Sequence, residues 1–131
     1  SAGATVVKPT TTGSVGIMPS EYATPLALVL TELVTNAVEH GLKGKDDGRV
    51  EIESRRSESA LIISVTDNGG GLTDGKVGDG LGTQIVRTLV DGELGGSIVW
   101  NHHHSGGTEV RIDIPLQFLP SSAQTSLIPG V

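Results

Sequence analysis

The stretch TELVTNAVEHG (residues 31–41) decides the fold. Just upstream, Thr24 and Pro25 predict a helix start, with threonine as N-cap and proline at the first helical position. Leu26, Leu30, Leu33 and Ala37 then recur at helical spacing, and Gly41 ends the run. At 3.6 residues per turn these apolar side chains fall within roughly 60° of one another and mark a buried stripe. Glu32, Asn36 and Glu39 fall in an adjoining arc of about the same width, with His40 between arc and stripe. That flank has two readings. One is a solvated edge with a helix-terminal histidine favoured by the dipole. The other is a metal and acid–base surface: an Asn carbonyl oxygen suits a Mg²⁺ ion that binds mainly through phosphates, and a glutamate one turn away can accept or orient a proton. Taken alone, the helix leans to the solvated edge.

Outward from this helix the chain alternates between elements. Val50, Glu51, Ile52 and Glu53 alternate as a strand, ALIISVTD (60–67) reads as a more buried strand, and RRSES joins the two as a hairpin. A glycine-rich loop, NGGGLTDGKVGDG, follows. From Leu81 the pattern is helical again, with Ile85, Val86, Leu89 and Val90 as its apolar face. GSIVWN and TEVRIDIP predict two further strands joined by HHHSGG. Residues 1–18 read as an extended or poorly ordered lead-in, 19–116 as one domain, and 117–131 as a frayed tail. The expected fold is α/β (α+β), a two-layer sandwich with helices on one face of a mixed, largely antiparallel sheet.

The glycines carry the next clue. A strand delivers Asp67 to its carboxyl end, and Gly69, Gly70 and Gly71 follow almost at once. A β-turn accounts for Asp-Asn-Gly, but a turn needs one or two glycines rather than three in succession. Successive glycines clear a surface for a flat ligand, and a partly buried carboxylate accepts a hydrogen bond from an exocyclic amine while repelling a carbonyl, so it favours adenine over guanine. GDGLGT then opens straight into a helix whose first N–H groups suit phosphates. It is neither a Walker A loop nor a dinucleotide fingerprint, because no Gly-Lys-Ser/Thr follows and the G-x-G-x-x-G spacing fails.

The bulk numbers narrow the classes. With 131 residues there is room for one core. A net charge of −6 with only 9 Lys and Arg argues against a direct nucleic-acid partner. Zero cysteines suit a reducing, cytoplasmic setting. No apolar run reaches the ~18 residues of a bilayer span, and SAGATVVKPTTTG lacks the apolar core of a signal peptide. Three aromatics, Tyr22, Trp100 and Phe118, leave the core to aliphatic side chains.

In this order the three elements resemble the ATP-binding domain of the GHKL superfamily, which includes sensor histidine kinases, gyrase-type and MutL-type ATPases and Hsp90. ELVTNAVEHG is similar to the N box, DNGGG to the first glycine box, GDGLG to the second, and GGTEVRIDIP to the closing strand. Within the superfamily, PLALVLTELVTNAVEHG with GLGTQIVRTLV resembles the HWE-like and PdtaS-like group of soluble sensor histidine kinases. The resemblance implies a Bergerat-type ATP-binding fold. It implies that Asn36 binds Mg²⁺, that Glu32 is a catalytic carboxylate near the γ-phosphate, and that Asp67 reads the adenine amine. Gly69 and Gly71 would shape the base pocket, Gly80, Leu81 and Gly82 would approach the phosphates, and Thr108 would support Asp67. The implied function is ATP-dependent transfer of the γ-phosphate to a histidine on a dimerisation segment outside this chain, with a response regulator downstream.

Two departures from the family pattern bear on affinity. The usual N-box Lys or Arg three residues after the asparagine is Glu39 here, which leaves His40, Lys43, Lys45 and Lys76 as the candidates to replace it at the phosphates. The lid at 72–79 is very short. The histidines of NHHHSGG read as an exposed loop, since consecutive side chains rarely converge on one ion. Two alternatives stand beside the leading one: an anti-sigma-factor-type serine kinase, which NAVEHG also resembles, and a nucleotide-gated binding module without phosphotransfer. A gyrase- or Hsp90-like clamp is least favoured, because no transducer domain follows.

Overall fold

The computed structural model describes residues 8–42, 46–70, 80–103 and 106–116. In chain order the elements are β1 (Thr10–Gly13), α1 (Ser20–Asn36), β2 (Val50–Arg56), β3 (Ala60–Asp67), α2 (Leu81–Thr88), β4 (Ser97–His102) and β5 (Thr108–Pro115). The strands form one sheet in the order β1-β2-β3-β5-β4. Only β1 runs parallel to its neighbour, so the sheet is mixed and largely antiparallel, as expected.

The sheet is two-faced because its strands alternate. Leu61, Ile63 and Val65 of β3 lie opposite Ile114, Ile112 and Val110 of β5, and all six are buried. Between them the register sets Ile62 against Asp113, Ser64 against Arg111 and Thr66 against Glu109, on the side away from the helices. An antiparallel sheet tolerates one wet face, whereas the apolar rows need a second layer. Both helices supply it: Leu26, Val29 and Leu33 of α1 and Val86 of α2 join the same core cluster.

The structure differs from four sequence-based expectations. The α1 helix begins at Ser20 rather than after Thr24, since the Pro19 carbonyl accepts the first hydrogen bonds, from the N–H groups of Tyr22 and Ala23 at 2.9 Å each. Pro25 therefore stands inside the helix. The N–H it lacks would have served the Glu21 carbonyl, which lies in the exposed first turn where water can replace it. Within α1, Val29 is fully buried and Leu30 only partly, which turns the stripe toward the flank that carries Asn36. In α2 the buried side is Val86, continued by Val90 and Leu94 beyond the helix, while Ile85 is 46% exposed. The lead-in also contains β1, a short Thr-rich strand that lacks an apolar alternation to announce it.

Both helices end in the same device. A five-residue π-helical turn follows each, Ala37–Gly41 after α1 and Leu89–Glu93 after α2. Each turn is closed by an i→i−5 bond of 2.9 Å, from the Leu42 N–H to the Ala37 carbonyl and from the Leu94 N–H to the Leu89 carbonyl. Such wide turns are rare and concentrate near functional sites. They bury Leu42 and Leu94 at the point where the chain leaves the helical layer. No helix among the described residues is long and apolar enough to cross a membrane.

Candidate functional site

The antiparallel pairing of β3 with β5 brings the last residue of β3, Asp67, beside the first residue of β5, Thr108. Both are buried, and Asp67 is the one buried carboxylate among the described residues. Its carboxylate accepts hydrogen bonds from the backbone N–H groups of Gly69, at 2.9 Å, and of Thr108. Burial pushes its pKa above the ordinary aspartate value, and the two backbone bonds pull in the opposite direction without cancelling the shift. An ionised carboxylate offers about four acceptor positions. Two backbone donors therefore leave capacity for a further N–H group from a ligand.

Gly107 completes this corner and was not among the residues that the sequence reading picked out individually. Its φ is +88°, in the region that favours glycine. An added Cβ would also collide with the Asp67 carbonyl oxygen. The glycine is thus required by close backbone approach, and the signal for it was the Gly-Gly before Thr108.

The second group of predicted residues stands on α1 and α2. Asn36 is the last residue of α1, at the entry to the π turn, and both Asn36 and Glu32 are half-buried rather than fully solvated. The metal and acid–base reading of this flank thus has the partial burial it needs. Packing of α1 on α2 places the Glu32 side chain over Gly82: an added Cβ there would collide with the carboxylate. Gly80 is exposed, with no described atom within 4 Å of where its Cβ would be, and the Leu81 side chain beside it is 73% exposed. The Gln84 N–H bonds back to the Gly80 carbonyl at 3.1 Å, which starts α2 and leaves its earlier N–H groups toward the helix N-terminus.

Four sequence-based assignments lie outside the described residues. These are Gly71, the His40 side chain, the lid at 72–79, and the basic candidates Lys43, Lys45 and Lys76. Glu39, where a basic residue was expected, is exposed. Among the described residues no group of three His or acidic side chains is arranged to hold a metal ion. The donor set does fit a nucleotide-bound Mg²⁺, which needs only one or two protein oxygens beside those of phosphate. Asn36 supplies such an oxygen, and Asp67 with its two backbone donors fits an adenine amine.

Comparison with known proteins places this arrangement. The family model described as "Histidine kinase-, DNA gyrase B-, and HSP90-like ATPase" matches residues 21–118. The sensor histidine kinase PdtaS of Mycolicibacterium smegmatis is 44% identical over 108 residues, which is 79% of this chain and 22% of that protein. The histidine kinase domain of the Erythrobacter litoralis EL346 blue-light activated histidine kinase superposes with a TM-score of 0.74 at 33% identity, covering 95% of this chain and 56% of that one. An anti-sigma F factor of Clostridium botulinum is 33% identical over 78 residues, or 50% of this chain. This chain thus spans about a fifth of the curated histidine kinase it matches. The match over nearly the whole described sandwich, with the N box and both glycine boxes inside it, makes this chain a member of the histidine kinase-, DNA gyrase B- and HSP90-like ATPase family.

Proposed function

We propose that this domain binds Mg-ATP and passes the γ-phosphate to a histidine on a helical dimerisation segment of a sensor histidine kinase, from which a response regulator then takes it. The observation that carries this reading is the Asp67 corner: a buried carboxylate at a strand end, held by two backbone N–H groups and with acceptor capacity left over. Asp67 accepts the adenine amine, Thr108 fixes the carboxylate through its N–H, and Gly69 and Gly71 leave the base face bare. Gly80, Leu81 and Gly82 present backbone N–H groups to the phosphates.

Asn36 holds the Mg²⁺, which when bound neutralises phosphate charge. Glu32, half-buried against Gly82, orients the attacking imidazole or takes its proton. This chemistry is mostly positioning and electrostatics, so a site that fixes the base at one end and lets a carboxylate approach at the other suits it. The absence of cysteine suits a cytoplasmic setting.

The test is calorimetric titration of the domain with ATP and with GTP, each in excess Mg²⁺. Selective ATP binding is expected, and equal binding or none would overturn the adenine assignment. A serine kinase of the anti-sigma type is the second reading, favoured by the 33% identity to anti-sigma F factor. Supplying a histidine-bearing helical segment and a serine-bearing antagonist side by side separates the two. Acid-labile phosphohistidine supports the first reading, and acid-stable phosphoserine the second.

A further inference from the structure

Asn68 follows the base-side carboxylate and makes three hydrogen bonds to one loop. Its side-chain amide donates to the Asp47 carbonyl at 3.1 Å, and its side-chain oxygen accepts from the Arg49 N–H at 2.6 Å. Its own N–H donates to the Arg49 carbonyl at 3.2 Å, which extends the β2–β3 ladder one residue past the Val50–Asp67 pair. On its other side Gly107 lies so close that an added Cβ would stand 3.0 Å from the Asn68 Cα. Asn68 is therefore held between the closing strand and the 46–49 segment that leads out of the α1 layer.

That segment reaches back to α1 through packing. Gly48 sits against Leu42, with a would-be Cβ only 2.8 Å from Leu42 Cδ1. The Leu42 N–H in turn closes the π turn on the Ala37 carbonyl, next to Asn36. An unbroken series of contacts thus joins Asp67 to Asn36 by way of Asn68, Arg49, Gly48 and Leu42. A turn-former alone would not need this side chain. A β-turn at Asp-Asn-Gly is met by aspartate or glycine as well, whereas the pair of bonds to Asp47 and Arg49 needs a donor and an acceptor on one planar amide.

We propose that Asn68 is a positioning residue that sets the Asn36 end of α1 against the Asp67 end of β3, so that one nucleotide engages both. The inference rests on the nucleotide reading above. It gives Asn68 an effect on the metal-dependent part of binding, although Asn68 touches the base-side residue in sequence.

The experiment titrates ATP into the wild-type domain and into Asn68→Ala and Asn68→Asp, with Mg²⁺ and with the ion chelated. The aspartate variant keeps the acceptor for Arg49 and loses the donor to Asp47, so it carries the test if the alanine variant fails to fold. Mg²⁺-free affinity is expected to stay within about twofold of wild type, while the gain conferred by Mg²⁺ falls about tenfold in Asn68→Ala and less in Asn68→Asp. Combined with Asn36→Ala, the effect of Asn68→Ala on the Mg²⁺ gain should largely vanish, because the two act through one contact. Equal losses with and without Mg²⁺, or additive effects in that cycle, overturn the positioning role and leave the nucleotide reading standing. A wild-type domain that binds no ATP under either condition overturns the nucleotide reading, and this inference with it.

Discussion

Asp67 and Asn36 belong to the same candidate site but are held by different means. Asp67 ends a central strand, is buried, and is gripped by two backbone N–H groups, that of Gly69 in the turn that follows and that of Thr108 on the paired strand, whose position the sheet register dictates. Asn36 ends a helix, is half-buried, and its side chain makes no hydrogen bond to another described residue, and the same holds for Glu32 one turn earlier. The Asp67 corner is therefore built before any ligand arrives, whereas the Asn36 and Glu32 flank keeps side chains that, on the proposed function, a nucleotide and its metal recruit. Preorganisation where recognition is needed and freedom where groups must move suits the proposed function, in which the domain holds ATP and then gives up one phosphate.

The sharpest way to break this contrast is to add a methyl group at each end. Gly107→Ala forces a side chain onto a backbone at φ +88° and against the Asp67 carbonyl. We expect it to lose about 2–4 kcal/mol of stability, measured by urea denaturation. Gly80→Ala meets no described atom within 4 Å and should stay within about 0.5 kcal/mol of wild type, any loss appearing in nucleotide affinity instead. Equal destabilisation by the two variants would remove the distinction.

Asp67→Asn comes next, with effects of opposite sign on binding and folding. Replacing the ionised acceptor should weaken ATP by about 1.5–3 kcal/mol, read by calorimetry. Folding runs the other way. Because burial raises the Asp67 pKa, the folded state favours the protonated acid, and that contribution to stability is complete below the ordinary value of 3.8 and lost as pH rises through the raised pKa. The asparagine variant keeps the neutral shape throughout. It should match wild type in strong acid and exceed it at neutral pH, and a variant less stable than wild type at neutral pH would contradict the burial argument.

Glu32→Gln is expected to disturb stability as little as Gly80→Ala does, because it keeps the shape over Gly82 and removes only the charge. Urea midpoints should be unchanged within about 0.5 kcal/mol and ATP affinity little altered, while phosphotransfer to a supplied histidine segment falls by about two to four orders of magnitude. A large stability loss would show that the Glu32 flank is as rigidly built as the Asp67 corner.

Much of this was legible in the chain as text. The 108–115 strand announces itself by apolar alternation, the 60–67 strand by an apolar run that reads as more buried than the one-sided burial it has, and the glycine runs announce places where backbone must come close. Asp67, Asn36 and Glu32 stood out as candidates only through the order of the three motifs, because turn chemistry accounts for Asp-Asn-Gly and the helix flank alone leans to a solvated edge. The start of α1 was not legible, since Thr-Pro imitates an N-terminus so well that a proline tolerated in the second turn goes unsuspected. Ile85 was misplaced for a related reason: period alone finds an apolar face, and only the neighbouring helix decides how far round it the core extends.

By itself, then, the sequence determined the two helices, the strands other than β1, the two-layer arrangement and the residue types available for chemistry, because periodicity and glycine placement are local properties of the backbone. The tertiary structure alone decided which of those residues meet. That Thr108 donates to Asp67, that Gly107 must be bare, that Glu32 rests on Gly82 and that Asn68 fastens the loop after α1 all join positions far apart in the chain. Strand register and helix packing set such contacts, and neither is encoded in any single stretch of residues.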